Sequence, residues 1–210
     1  MDKLAQGWAA FESEDFALAE QIFCTMTETT GEEAQWGRFG LGYVTAFTGR
    51  FDEARMLFAA LRTEAREVGD RGAEHRALHQ VGMVERMAGR WAEAQACFAQ
   101  ERQLIEALGH EPLAVSINAY EVATVALHFG DWALAGQEYK KAFAFAQKTS
   151  DLVAVACGWR GLGDWYAATG QFQQAQTSWT AAGELFERTG HQKNVEEIQQ
   201  RLARMGGEFR

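Results

Sequence analysis

His75 and His79 stand four residues apart, which puts both imidazoles on one face of a helix, an arrangement that can begin a metal site. No glutamate follows His75 in the His-Glu-x-x-His sense, and no third ligand is evident. Solvated or groove-lining histidines are therefore the expectation, with no metal and no cofactor. Cys157 lies three residues before Arg160, a neighbour able to lower a thiol pKa. With no histidine base within sequence reach, a nucleophilic role is not expected. Glu32-Glu33 and Glu196-Glu197 read as solvated helix starts, where negative charge suits the helix dipole. There is no phosphate-binding loop, catalytic triad or distinct carboxylate pair, so no catalytic residue is assigned and the chain is not expected to be an enzyme.

The bulk properties narrow the field further. A net charge of -9 and a pI near 5.1 argue against a nucleic-acid partner, which would require a basic stripe. No apolar run approaches the about 18 residues needed to span a membrane. The start, Met1-Asp2-Lys3-Leu4, lacks the apolar core of a secretion signal. Cys24, Cys97 and Cys157 are odd in number and widely spaced, unlike a disulfide framework or a zinc motif. A reducing, cytoplasmic setting is expected. A hydrophobic content of 47% can fill a core, and a single proline, Pro112, points to helix throughout.

The elements that would position these residues come from an internal repeat. Gly49-Arg50-Phe51-Asp52-Glu53-Ala54 returns as Gly89-Arg90-Trp91-Ala92-Glu93-Ala94. It returns again as Gly130-Asp131-Trp132-Ala133-Leu134-Ala135 and Gly170-Gln171-Phe172-Gln173-Gln174-Ala175, with a weaker first copy at Glu14-Asp15-Phe16-Ala17-Leu18-Ala19. The final alanines are 35, 40, 41 and 40 residues apart. A second landmark, Gly69-Asp70, Gly109-His110, Ser150-Asp151 and Gly190-His191, keeps the same step. Each copy is thus a helix hairpin, punctuated by a glycine-polar turn. Twelve residues before each alanine stands a small residue: Gly7, Gly42, Gly82, Ala123 or Gly163. Four residues after it stands a ring: Phe23, Phe58, Phe98, Tyr139 or Trp179. Small residues let paired helices approach, and the rings fill the space between hairpins.

These positions resemble the tetratricopeptide repeat, which has Leu-Gly in its first helix and Ala, an aromatic and Ala in its second. The nearest copies are Leu41-Gly42, Ala54, Phe58 and Leu162-Gly163, Tyr166, Ala175, Trp179, Ala182. The 40-residue step is similar to the longer variety found in kinesin light chains, Rap phosphatases and several regulator sensor domains. The family's proline after the second helix is missing, and Glu85 and Ala126 stand where the fifth copy has Tyr166. Glu85 is expected to be partly buried in a structural ion pair, with Arg90 or a neighbouring repeat as its partner. The resemblance implies an all-α, right-handed α-solenoid of about five hairpins forming one domain over 1–210. The expected repeats are 2–29, 32–68, 71–108, 111–148 and 151–189, with a capping helix at 191–205. The first copy opens without a capping segment, as a piece of a longer chain would.

In that family the first helices line the concave face, and alignment on the alanines assigns inward residues here. Copies one and two contribute Trp8, Phe11, Trp36, Phe39, Tyr43 and Phe47. Copy three contributes Arg76, His79, Met83 and Arg86, and copies four and five contribute Tyr120, His128 and Arg160. Single rings at helical spacing are often core, yet the ring positions between helices are already filled. An exposed apolar patch of this size marks a binding site. The expected function is a protein-interaction scaffold whose groove takes a peptide or helix, the arginines pairing with its acids. Two alternatives remain: a sensor array binding a signal peptide or small ligand, and homodimerisation through the groove.

Overall fold

The computed structural model describes residues 2–207, and among these every regular element is a helix. The first hairpin pairs α1 (Lys3–Glu12) with α2 (Phe16–Thr27), and the second pairs α3 (Gly31–Phe47) with α4 (Phe51–Glu67). Then follow α5 (Arg71–Met87) with α6 (Trp91–Ala107), α7 (Pro112–His128) with α8 (Trp132–Ala146), and α9 (Leu152–Ala168) with α10 (Phe172–Arg188). A last helix, α11 (Gln192–Gly207), closes the order. The helix boundaries fall at the turns that the repeat marks. Packing divides the chain into two compact units, Met1–Leu104 and Ile105–Arg210, with the boundary inside α6.

The turns follow from local chemistry. At the α3–α4 turn Gly49 takes φ 80°, and the amide of Arg50 then donates to the buried Thr45 carbonyl at 2.8 Å. In the weaker first copy Glu14 occupies the same place with φ 64°, a conformation that costs an L-residue about 1–2 kcal/mol. Aspartates start several helices: the side chains of Asp15, Asp70, Asp131 and Asp151 accept from amides in the first turn of the helix that follows.

Packing within each hairpin is a ring set against a small residue, a glycine in every copy but the fourth, which has Ala123. Phe23, Phe58, Phe98, Tyr139 and Trp179 are all buried, and so are the alanines four residues before them. A Cβ at Gly42 would lie 2.5 Å from the Phe58 ring, one at Gly82 2.6 Å from Phe98, and one at Gly163 2.4 Å from Trp179. The rings also meet the next hairpin, because a Cβ at Gly40 would strike Phe23 and one at Gly161 would strike Tyr139. Burying one such ring is worth about 3–5 kcal/mol against alanine. The turn rings differ from this pattern. Trp132 is 54% exposed, and its carbonyl accepts from the Trp165 indole at 2.8 Å.

Candidate functional site

In the first unit the aromatic residues of α1 and α3 form a connected edge-to-face network. Trp8 meets Tyr43 at 5.2 Å between centroids, Phe11 meets Phe47 at 5.0 Å, and Trp36 meets Phe39 at 5.6 Å. Phe39 and Tyr43 continue inward onto buried Phe58. Such contacts add about 0.5–1.5 kcal/mol each beyond burial. Trp8, Phe11, Trp36, Phe39 and Tyr43 are consequently half-buried, and only Phe47, at 53%, is more than half exposed. Burial raises the Tyr43 phenol above its ordinary pKa, although a hydrogen bond with Gln80 pulls the other way. Most of this wall is therefore the outer layer of a core rather than an open face.

An opening remains between α3 and α5. A cleft of about 330 Å³ is lined by Trp36, Phe39 and Arg76, with Leu61 and Ala65 of α4 and Val68 just after it alongside. Three residues assigned to the groove from sequence thus converge here. The contribution from α4 was not read from the sequence, which assigned the groove to first helices alone.

Elsewhere in this unit α5 directs Glu85 and His79 into the packing. Glu85 is 4% exposed, and its carboxylate accepts from Arg55 of α4 and from Arg90 at the start of α6. His79 Nδ1 lies 3.0 Å from Oε1 of Glu101, a carboxylate only 1% exposed. His75 Nε2 lies 3.1 Å from the same oxygen, without hydrogen-bond alignment. Among the described residues no group of three or more His, Cys, Asp or Glu is arranged to hold a metal ion. His79 therefore meets Glu101 of α6, where the sequence reading had turned it to the groove. Glu101 itself went unread, although it stands where the later copies have Ala142 and Ala182. Arg86 reaches back to the Met83 sulfur at 3.6 Å.

In the second unit the arginine expected to meet a partner is already engaged. Arg160 donates to the Tyr120 hydroxyl at 3.0 Å and to Glu197 of α11 at 3.1 Å. Arg201 of α11 in turn bonds Asp164, which also accepts from the Trp179 indole at 2.9 Å. These bonds tie both α10 and α11 to α9. Burial pushes the Glu197 carboxyl up, but Arg160 and Arg201 outweigh it and leave it below the ordinary range. For Cys157 burial dominates and raises the thiol, with Arg160 pulling the other way. His128 is exposed against Phe129. A second cleft, about 220 Å³, lies among Ile117, Tyr120, Ala142 and Cys157.

Residues 34–107 match the family model described as tetratricopeptide repeat. That segment, about a third of the chain, is similar to tetratricopeptide repeats. Solved structures extend the likeness in fold over most of its length. BtubC (BKLC) from P. vanneervenii is 16% identical with a TM-score of 0.67, covering 88% of this chain and 78% of that one. A Rap protein complexed with Competence and Sporulation Factor is 14% identical with a TM-score of 0.65. That match takes in 99% of this chain but only 65% of the Rap chain. Nearly identical repeats of a putative kinesin light chain from Podosopora anserina are 16% identical, TM-score 0.61, with 90% and 95% covered. No curated protein matches the sequence. Tetratricopeptide arrays are generally non-enzymatic and mediate protein contacts. Among the described residues no helix is long and apolar enough to cross a membrane.

Proposed function

We propose that this protein is an interaction scaffold that holds a peptide or helical segment of a protein partner against its first helices. The observation that carries the reading is the cleft of about 330 Å³ in which Trp36, Phe39 and Arg76 converge. It offers an apolar lining, an aromatic wall and an exposed guanidinium, the requirements for anchoring one side chain of an extended or helical segment. The Rap neighbour, in complex with Competence and Sporulation Factor, supports ligand capture by such a fold. Residues 1–210 are taken as one array, because the step from Ala94 to Ala135 keeps the repeat across the unit boundary. Trp8, Phe11 and Tyr43 support the wall, and Phe47 and His128 offer exposed contact. His79 and Arg160 act within the scaffold, being held by Glu101 and Glu197. No catalytic step and no cofactor belong to this reading.

Selection of a displayed random dodecapeptide library against the protein tests it. Peptides that shift Trp36 fluorescence and fail to bind a Trp36→Ala variant of unchanged helical content are expected. Enrichment of no peptide, or binding indifferent to Trp36, overturns the reading.

A further inference from the structure

The two clefts occupy one register of the repeat. Counted from Gly42, Gly82, Ala123 and Gly163, a single position on successive first helices runs Trp36, Arg76, Ile117, Cys157. The first cleft lies between Trp36 and Arg76, and the second between Ile117 and Cys157. Phe39 of the first corresponds to Tyr120 of the second, and Leu61 to Ala142. A pocket that recurs in register follows from the packing of the repeat. The side chains that differ at equivalent places therefore decide what each pocket accepts.

Each cleft is bordered by two acids and one arginine (Glu32, Asp70 and Arg76 in the first, Glu121, Asp151 and Arg160 in the second), and the difference is whether that arginine is already paired. Arg76 is exposed and has no ion pair among the described residues. At the same place the second cleft has Cys157, its thiol raised by burial, and the nearby Arg160 is spent on Glu197 and Tyr120. The two acids of the first cleft are both engaged at helix starts. Glu32 accepts from the Trp36 indole at 3.4 Å, and Asp70 accepts from the Ala73 amide at 2.8 Å. The positive ends of α3 and α5 further offset them.

We propose that the first cleft selects a segment bearing a bulky apolar side chain beside a carboxylate, which Arg76 receives, while the second takes an uncharged apolar side chain. This rests on the groove reading above and assigns its partner chemistry. Charge-assisted pairing to a planar guanidinium supplies the preference, and its exposure makes it sensitive to salt.

The dodecapeptide selection, repeated against Arg76→Glu, tests the assignment, with the enriched peptides sorted by loss of binding to Trp36→Ala or to Ile117→Ala. The Trp36-dependent class is expected to carry Asp or Glu beside its apolar residue with the native protein. With Arg76→Glu the same apolar residue should persist while Lys or Arg replaces the acid. An Asp→Asn change in such a peptide should weaken native binding about tenfold and leave Arg76→Ala unaffected. The Ile117-dependent class should show no acidic preference. A Trp36-dependent consensus without an acid, or one unchanged in Arg76→Glu, overturns the charge assignment and leaves the groove reading intact. Enrichment of no peptide by either protein overturns both.

Discussion

Glu85 offers a measurable asymmetry. Its carboxylate is buried, whereas the side chains of Arg55 and Arg90 remain 38% and 31% exposed. Both arginines also reach Asp52, at 3.1 and 3.5 Å, and Asp52 is 82% exposed. Replacing Glu85 with alanine leaves two guanidiniums that can turn to water and keep Asp52. The expected cost is about 2 kcal/mol, from the lost charge-assisted bonds and a small void. Removing both arginines instead strands a carboxylate that cannot reach water, at a cost of about 3–5 kcal/mol. Converted at about 2–4 °C per kcal/mol, Glu85→Ala should lower Tm by about 4–8 °C and the double arginine variant by about 6–20 °C. Adding Glu85→Met to Arg55→Ala and Arg90→Ala should recover most of the loss, because an apolar side chain needs no partner there. Thermal and urea unfolding followed by far-UV circular dichroism measures all three. If the double arginine variant is as stable as Glu85→Ala, or the triple variant recovers nothing, the carboxylate is not held as described.

Three further outcomes follow from the packing. Gly42→Ala brings a methyl to 2.5 Å from the Phe58 ring and should cost about 1–3 kcal/mol in urea denaturation, partly restored by Phe58→Leu. Glu14→Gly relieves a left-handed residue and should stabilise the first hairpin by about 1 kcal/mol, read as a raised Tm. Glu197, held below the ordinary carboxylate range, contributes stability that is present above its unfolded pKa and is lost as pH falls through its folded one. Protection of the α11 amides from exchange, measured against their intrinsic rates at each pH, should therefore fall on acidification below about pH 4, and Glu197→Gln should flatten that dependence.

The sequence disclosed whatever depends on local steric fit. A glycine, an alanine and a ring at fixed offsets describe a notch and its filling, so the hairpins and their turns could be read without coordinates. The ion pair of Glu85 with Arg90 was legible for the same reason, since the two are five residues apart across one turn. Its second partner, Arg55, is thirty residues away and depends on how α4 meets α5. Depth was harder to read than direction. Alignment put Trp8, Phe39 and Tyr43 on the first helices, but only packing shows that the rings bury one another. The bond of Arg160 to Glu197 could not be read from the sequence, because Glu197 lies on a helix whose docking no local pattern specifies.

The repeat also supplies its own controls for function. Positions that recur as alanine, glycine or ring are fixed by packing and carry no information about a partner. A departure can mean two things, and burial separates them. Glu85 and Glu101 depart from the pattern and are buried with internal partners, so they act on the fit of α5 against its neighbours. Arg76 stands at an exposed position that differs in every copy and has no ion pair among the described residues, so its charge is available to a ligand. Its helix is held on the inner side by both buried acids, the first through Glu85 on α5 itself and the second through His79. A guanidinium presented from so anchored a helix loses little further freedom on pairing, which favours recognition of a carboxylate by position as well as by charge.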